Sequence, residues 1–117
     1  MMKRIMNRLT LKKIDEKNFD KFTFESSMVS LVFFGARRCK VCREQIPIVE
    51  SIAYKYREKI KAYWVDVDKH EDLFYRFRLQ GIPNIIIFNN GEIVEKIRGL
   101  NSEKILINIV DGILDEV

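Results

Sequence analysis

Apolar residues along the chain fall into runs and stripes of two different periods. Residues 9–14 read as a short first strand. Over 16–26, Phe19 and Phe22 stand at helical spacing and predict a short helix. The stretch 29–35, Val29-Ser30-Leu31-Val32-Phe33-Phe34-Gly35, lacks polar alternation. That pattern predicts a strand buried on both faces, in the middle of a helix-covered sheet. From Val41, the residues Ile46, Val49, Ile52, Ala53, Tyr56 and Ile60 recur at three- and four-residue steps, the stripe of an amphipathic helix. Pro47 lies inside this stripe and should kink the helix, because it lacks a ladder N–H and crowds the preceding turn.

The second half repeats the alternation. Residues 61–68 predict a strand. Residues 70–78 predict a short helix with Leu73, Phe74 and Phe77 on one face, and the β-branched run 84–88 another strand. Asn89-Asn90-Gly91 is a tight-turn signal, since Asn and Gly tolerate positive φ, and 92–97 is then the antiparallel return strand. Asn101 or Ser102 should cap a last helix whose stripe is Ile105, Leu106, Ile109, Val110, Ile113 and Leu114. The order is β-α-β-α-β-α-β-β-α. It predicts an α/β fold with a mixed sheet of four to five strands, parallel pairs first and a hairpin last, flanked by helices on both faces.

Composition narrows the picture. The chain has 117 residues, 47% hydrophobic and 32% charged, which suits one folded domain. Residues 1–9 read as a basic tail or the start of the first strand, and 10–117 as the domain. The net charge of +4 is spread along the chain, with its densest run at Lys3, Arg4, Arg8, Lys12 and Lys13. No basic-aromatic pattern follows it, so no nucleic-acid partner is expected. No apolar run approaches the roughly 18 residues of a membrane span. Residues 1–9 have a positive start but no apolar stretch of about 7–15 residues behind it, so no secretory leader is read and a cytoplasmic location is expected.

The chemistry lies at Cys39-Lys40-Val41-Cys42, the only cysteines. Cys39 falls where a central strand hands over to a helix, and unpaired N–H groups and the helix dipole stabilise a thiolate there. Arg37, Arg38 and Lys40 add positive charge, and no acid lies between Glu25 and Glu44. These three cations are expected to lower the pKa of Cys39 and to favour acidic substrate surfaces. Lowering a thiol pKa from about 8.5 to about 7 raises its thiolate fraction from roughly 3% to roughly half. Nucleophilicity falls in compensation, so the net gain as attacker is only about three- to fourfold. Positions i and i+3 at a helix start share a face, within the span a disulfide needs. By spacing alone the motif suits redox chemistry, metal binding or inert buried thiols. A tetrahedral zinc site needs about four ligands. The chain offers two cysteines and His70, which lies in the polar run 68–72 and reads as an exposed helix-start residue, so no metal is expected.

Taken in order, these features resemble the thioredoxin family. Val32-Phe33-Phe34-Gly35-Ala36 precedes the cysteine pair, and Pro47 stands five residues after Cys42. Val65-Asp66-Val67-Asp68 is similar to the family's third strand, and Gly81-Ile82-Pro83 to the segment that holds its cis-proline. Phe88-Asn89-Asn90-Gly91-Glu92 matches its hairpin, and Gly99 the glycine after the last strand. The resemblance spans roughly residues 10–117. It implies a thioredoxin fold and a protein-disulfide reductase with Cys39 as nucleophile and Cys42 as resolving thiol. It further implies no cofactor beyond their disulfide, a recycling reductase as partner, and a monomer. Ile82 and Pro83 would pair with substrate backbone, and Arg38 and Lys40 would border it. A redox-responsive binding module on the same fold is the alternative. The chain departs from the family at four places: Lys40-Val41 replace Gly-Pro, Arg38 replaces a tryptophan, and Phe33 and Trp64 replace the buried aspartate and its lysine partner. Asp66 and Glu44 are the remaining acids that could take the proton of Cys42.

Overall fold

The computed structural model of the chain describes residues 11–115. The expected basic tail over residues 1–9 lies outside that range. The elements are β1 (Lys12–Lys13), α1 (Phe19–Phe22), β2 (Val29–Gly35), α2 (Lys40–Lys55), β3 (Ile60–Asp66), α3 (Glu71–Arg76), β4 (Asn84–Asn89), β5 (Glu92–Arg98) and α4 (Glu103–Asp115). They form one five-stranded sheet in the order β1-β3-β2-β4-β5. β2 pairs parallel to β3, and β4 pairs antiparallel to both β2 and β5. This is the expected β-α-β-α-β-α-β-β-α α/β order.

Every residue of β2 is buried, as its unbroken apolar run requires of the central strand. The period of two along the strands divides the core. Leu31, Phe33, Trp64, Ile85 and Ile87 face α2 and α4 through Cys42, Val49, Ile52, Leu106 and Val110. On the opposite face Val32, Phe34, Val65, Ile86 and Phe88 pack against Phe19, Leu73 and Phe77 of the α1 and α3 segments. Helices therefore cover both faces.

Element ends differ from the sequence reading where tertiary contacts decide them. Among the described residues β1 is Lys12–Lys13, in register with Tyr63 and Trp64 of β3, and the Ile14 N–H that follows donates to the Trp64 carbonyl at 3.0 Å. α1 is a single turn, ended where Thr23 turns its hydroxyl back onto the Phe19 carbonyl. Asn90 and Gly91 both adopt positive φ in the β4–β5 turn, as that dipeptide predicts. Ser102, rather than Asn101, caps α4: its Oγ accepts the Ile105 N–H at 3.2 Å.

One buried polar side chain ties α2 to the loop before α4. Gln45 of α2 is fully buried. Its Nε2 donates to the Asn101 carbonyl at 3.1 Å, and its Oε1 accepts the Asn101 N–H at 2.7 Å. Replacing it strands both backbone groups away from water. Gln45→Ala is therefore expected to cost ~2–3 kcal/mol of stability, read as a lower urea midpoint with unchanged slope.

Candidate active site

β2 ends at Gly35, and the chain turns through Ala36, Arg37 and Arg38 before α2 begins. The turn closes with the Cys39 N–H donating to the Ala36 carbonyl at 3.2 Å. Cys39 is the N-cap of α2, with extended backbone (φ −90°, ψ 112°). Its sulfur sits where a serine or aspartate oxygen usually sits, accepting the Cys42 N–H at 3.2 Å. No acid stands in the first turn of α2, so its positive end acts on this sulfur uncompensated from within the helix.

The two thiols lie in contrasting surroundings. Cys39 is half-buried and Cys42 fully buried, and both are free. Burial, followed by the hydrogen bond with the Cys39 side chain, pushes the Cys42 thiol up to about 12. The Ala36 backbone and the Arg38 charge offset only part of this. Beneath Cys42 the floor is aromatic: Phe33 and Trp64 stack with centroids 5.6 Å apart and planes 17° apart. Gly35 makes this arrangement fit. A Cβ there would stand 2.7 Å from Phe33 Cε2 and 3.2 Å from Cys42 Sγ. Phe33 and Trp64 were legible as departures from the family, but the need for glycine between ring and sulfur was not.

The cations named from sequence do not act alike. Arg37 and Lys40 are exposed. Arg38 is engaged by an acid 30 residues on: its Nε donates to Asp68 Oδ2 at 2.8 Å and its Nη2 to Oδ1 at 3.0 Å. Asp68 also raises the pKa of Arg38, first by that hydrogen bond and then by its charge. A carboxylate thus shares the charge of the rim, which residues 25–44 alone could not reveal. Arg43 donates its Nη1 to the Arg37 carbonyl at 2.6 Å and so braces the turn.

Across from the cysteines, the Ile82–Pro83 peptide bond is cis, and the Pro83 carbonyl accepts the Gly99 N–H at 3.0 Å. Ile82 and Cys39 are both partly buried and each packs against both core clusters. Ile82 shares a cleft of about 230 Å³ with Arg38, Val67, Asp68, Glu71 and Tyr75. Arg38 and Ile82 thus meet in one cleft, whereas Arg37 borders a second groove with Lys13, Arg43, Ile46 and Trp64.

The acids also have places. Asp66 is buried at the end of β3 beside Gly35, with Oδ1 accepting the Asp68 N–H at 3.0 Å, while Glu44 is exposed. His70 is half-buried rather than exposed, with Nδ1 2.7 Å from Glu16 Oε1. Among the described residues no three His, Cys, Asp or Glu side chains gather to hold a metal ion. No helix among them is long and apolar enough to cross a membrane.

Comparison with known proteins agrees with this geometry. The family model described as Thioredoxin matches residues 10–112. A thioredoxin of Staphylococcus haemolyticus is 31% identical over 103 residues, covering 88% of this chain and 97% of its own. Thioredoxin 1 of Synechococcus elongatus is 30% identical over 98 residues, covering 84% and 92%. A chloroplastic thioredoxin M5 of Oryza sativa is 33% identical over 97 residues, covering 83% of this chain, which spans 56% of that relative's length. The chain belongs to the thioredoxin family, and it is a thiol–disulfide oxidoreductase of the protein-disulfide reductase class. Such enzymes act on protein disulfides, are recycled by a reductase, and need no cofactor beyond their own redox-active disulfide.

Two outcomes follow. Iodoacetamide should label Cys39 of the folded dithiol form and spare Cys42, whereas both label after denaturation; mass spectrometry of native and urea-treated protein distinguishes the sites. Folding holds Cys42 neutral beyond its ordinary value of 9.0, up to about 12, so its contribution to stability is complete below about 9 and is lost as pH rises toward 12. Urea titrations of the dithiol form should therefore fall more steeply over that window than those of Cys42→Ala.

Proposed function

We propose that Cys39 attacks the substrate disulfide and Cys42 resolves the resulting mixed disulfide. The observation that carries this reading is the contrast between a half-buried sulfur at a helix N-cap and a fully buried thiol one turn inside. The Cys39 thiolate bonds to one substrate sulfur, and the other leaves as a thiolate that takes up a proton. Cys42 then gives up its proton and attacks Cys39 Sγ. The substrate's remaining sulfur leaves as a thiolate and is protonated. The substrate disulfide gains two electrons, and the Cys39–Cys42 pair loses two and closes as a disulfide.

Ile82 and Pro83 form the substrate-binding segment in this reading, with Ile82 offering main-chain hydrogen bonds to an extended substrate strand, which the cleft that Ile82 shares with Arg38 supports. Arg38 and Lys40 border that strand. Arg37 and Lys40, both exposed, keep the rim positive despite the Arg38–Asp68 pair, which supports a preference for acidic substrate surfaces and an electrostatic influence on the Cys39 thiolate. Both thiols belong to one chain, which supports a monomeric working unit. The cycle needs a compartment that keeps thiols reduced, which supports a cytoplasmic setting.

The test is insulin-disulfide reduction with dithiothreitol. The wild type should be active, Cys39→Ser inactive, and Cys42→Ser should accumulate a mixed disulfide on Cys39. A wild type without activity would instead identify a binding module without turnover. Added salt should slow reduction of an acidic-surfaced substrate more than that of a neutral one.

A further inference from the structure

Cys42 must lose a proton before it can attack, and its surroundings do little to take it. β2 faces it with the ring of Phe33 and the bare Cα of Gly35. β3 contributes Trp64, stacked on Phe33, and at its end Asp66, whose Oδ1 is held by the Asp68 N–H. The preceding turn carries Arg37 and Arg38, and the first turns of α2 carry Cys39, Lys40, Arg43 and Glu44; of these Glu44 is the only carboxylate, and it is exposed. The loop before α4 meets α2 through Asn101 and Gln45, neither of which titrates. The side chains of Cys39, by hydrogen bond and charge, and of Arg38, by charge, act on the Cys42 thiol, and neither is a carboxylate.

Resting on the assignment of Cys39 as attacker and Cys42 as resolver, we propose that Phe33 is a positioning residue that keeps a proton acceptor away from Cys42. The mixed disulfide between substrate and Cys39 therefore outlives the first exchange at neutral pH. Phe33 can do this because Trp64 stacks on one side of its ring and Gly35 leaves room for it below the sulfur. The proton of Cys42 then leaves to solvent hydroxide, the Cys42 thiolate attacks Cys39 Sγ, and the substrate thiolate is expelled and protonated. The cycle's electron and proton balance is unchanged; its slow step is resolution. Burial that disfavours the Cys42 thiolate acts in the same direction.

The experiment is a single turnover of the dithiol protein with excess protein disulfide, quenched in acid and read by intact-mass spectrometry from pH 6 to 9. The mixed disulfide on Cys39 should accumulate in the wild type. Its decay should quicken about tenfold per pH unit, as the fraction of a weakly acidic thiol that is ionised does. Phe33→Asp should speed decay at pH 7 on the order of 100-fold and flatten the profile, as an installed general base would. Should Phe33→Asp not fold, the wild-type profile and Asp66→Asn decide. Asp66→Asn, which keeps the acceptor for Asp68 N–H, should leave decay unchanged. A wild type with no detectable mixed disulfide, a flat profile, or slowed decay in Asp66→Asn would each overturn the proposal. Cys42→Ser separates the two readings. If it traps substrate on Cys39 while the wild type shows no mixed disulfide, only the slow resolution fails. If it traps nothing, the assignment of the two cysteines fails.

Discussion

The 3.2 Å contact in which Cys39 Sγ accepts the Cys42 N–H is the interaction on which the site depends. A helix start leaves N–H groups unpaired, and most proteins satisfy one with an oxygen. Here a sulfur takes that place, so the group that caps the helix is also the reactive one. The same bond orients the residue three positions on, which is the other thiol. Capping, sulfur electrostatics and thiol proximity therefore arise from one local geometry. That geometry is held by what precedes it. β2 is buried along its whole length, so the point at which Gly35 delivers the chain to the turn is set by strand pairing on both sides.

Around this junction the chain combines two opposed environments. Above lies a charged, hydrated rim, with Arg37 and Lys40 in solvent and Arg38 turned onto Asp68. Below lies the dry Phe33–Trp64 stack. A half-buried sulfur and a fully buried one are the direct result, since one faces each environment. The Arg38–Asp68 pair is solvent-exposed, so it contributes little to stability. Its effect is to distribute charge around the cleft that Arg38 shares with Ile82.

Much of the fold was legible because periodicity reports burial. The unbroken run 29–35 announced the central strand, and the stripe through Ile52 and Tyr56 announced α2. Asn90-Gly91 announced the hairpin because positive φ has few other residues to carry it. What failed was decided by contacts between distant residues. Where β1 sits is decided by β3, whose Tyr63 and Trp64 are its partners about 50 positions along the chain. His70 is half-buried and pairs with Glu16, 54 positions away. The cysteine pair was legible as a motif, and Phe33 and Trp64 as departures. Their stacking, and the reason glycine stands at position 35, required the third dimension, because ring and sulfur approach the same Cα from two elements.

The Phe33–Trp64 stack has a spectroscopic consequence. Trp64 is the only tryptophan of the chain, and it is buried against the ring that underlies Cys42. All indole emission of the protein therefore originates one side chain away from the redox pair. A disulfide and a dithiol differ in their ability to quench an excited indole, so the protein carries an intrinsic optical gauge of its own oxidation state. The aromatic pair that keeps the floor of the site dry is also the part of the molecule from which its redox state can be read with light.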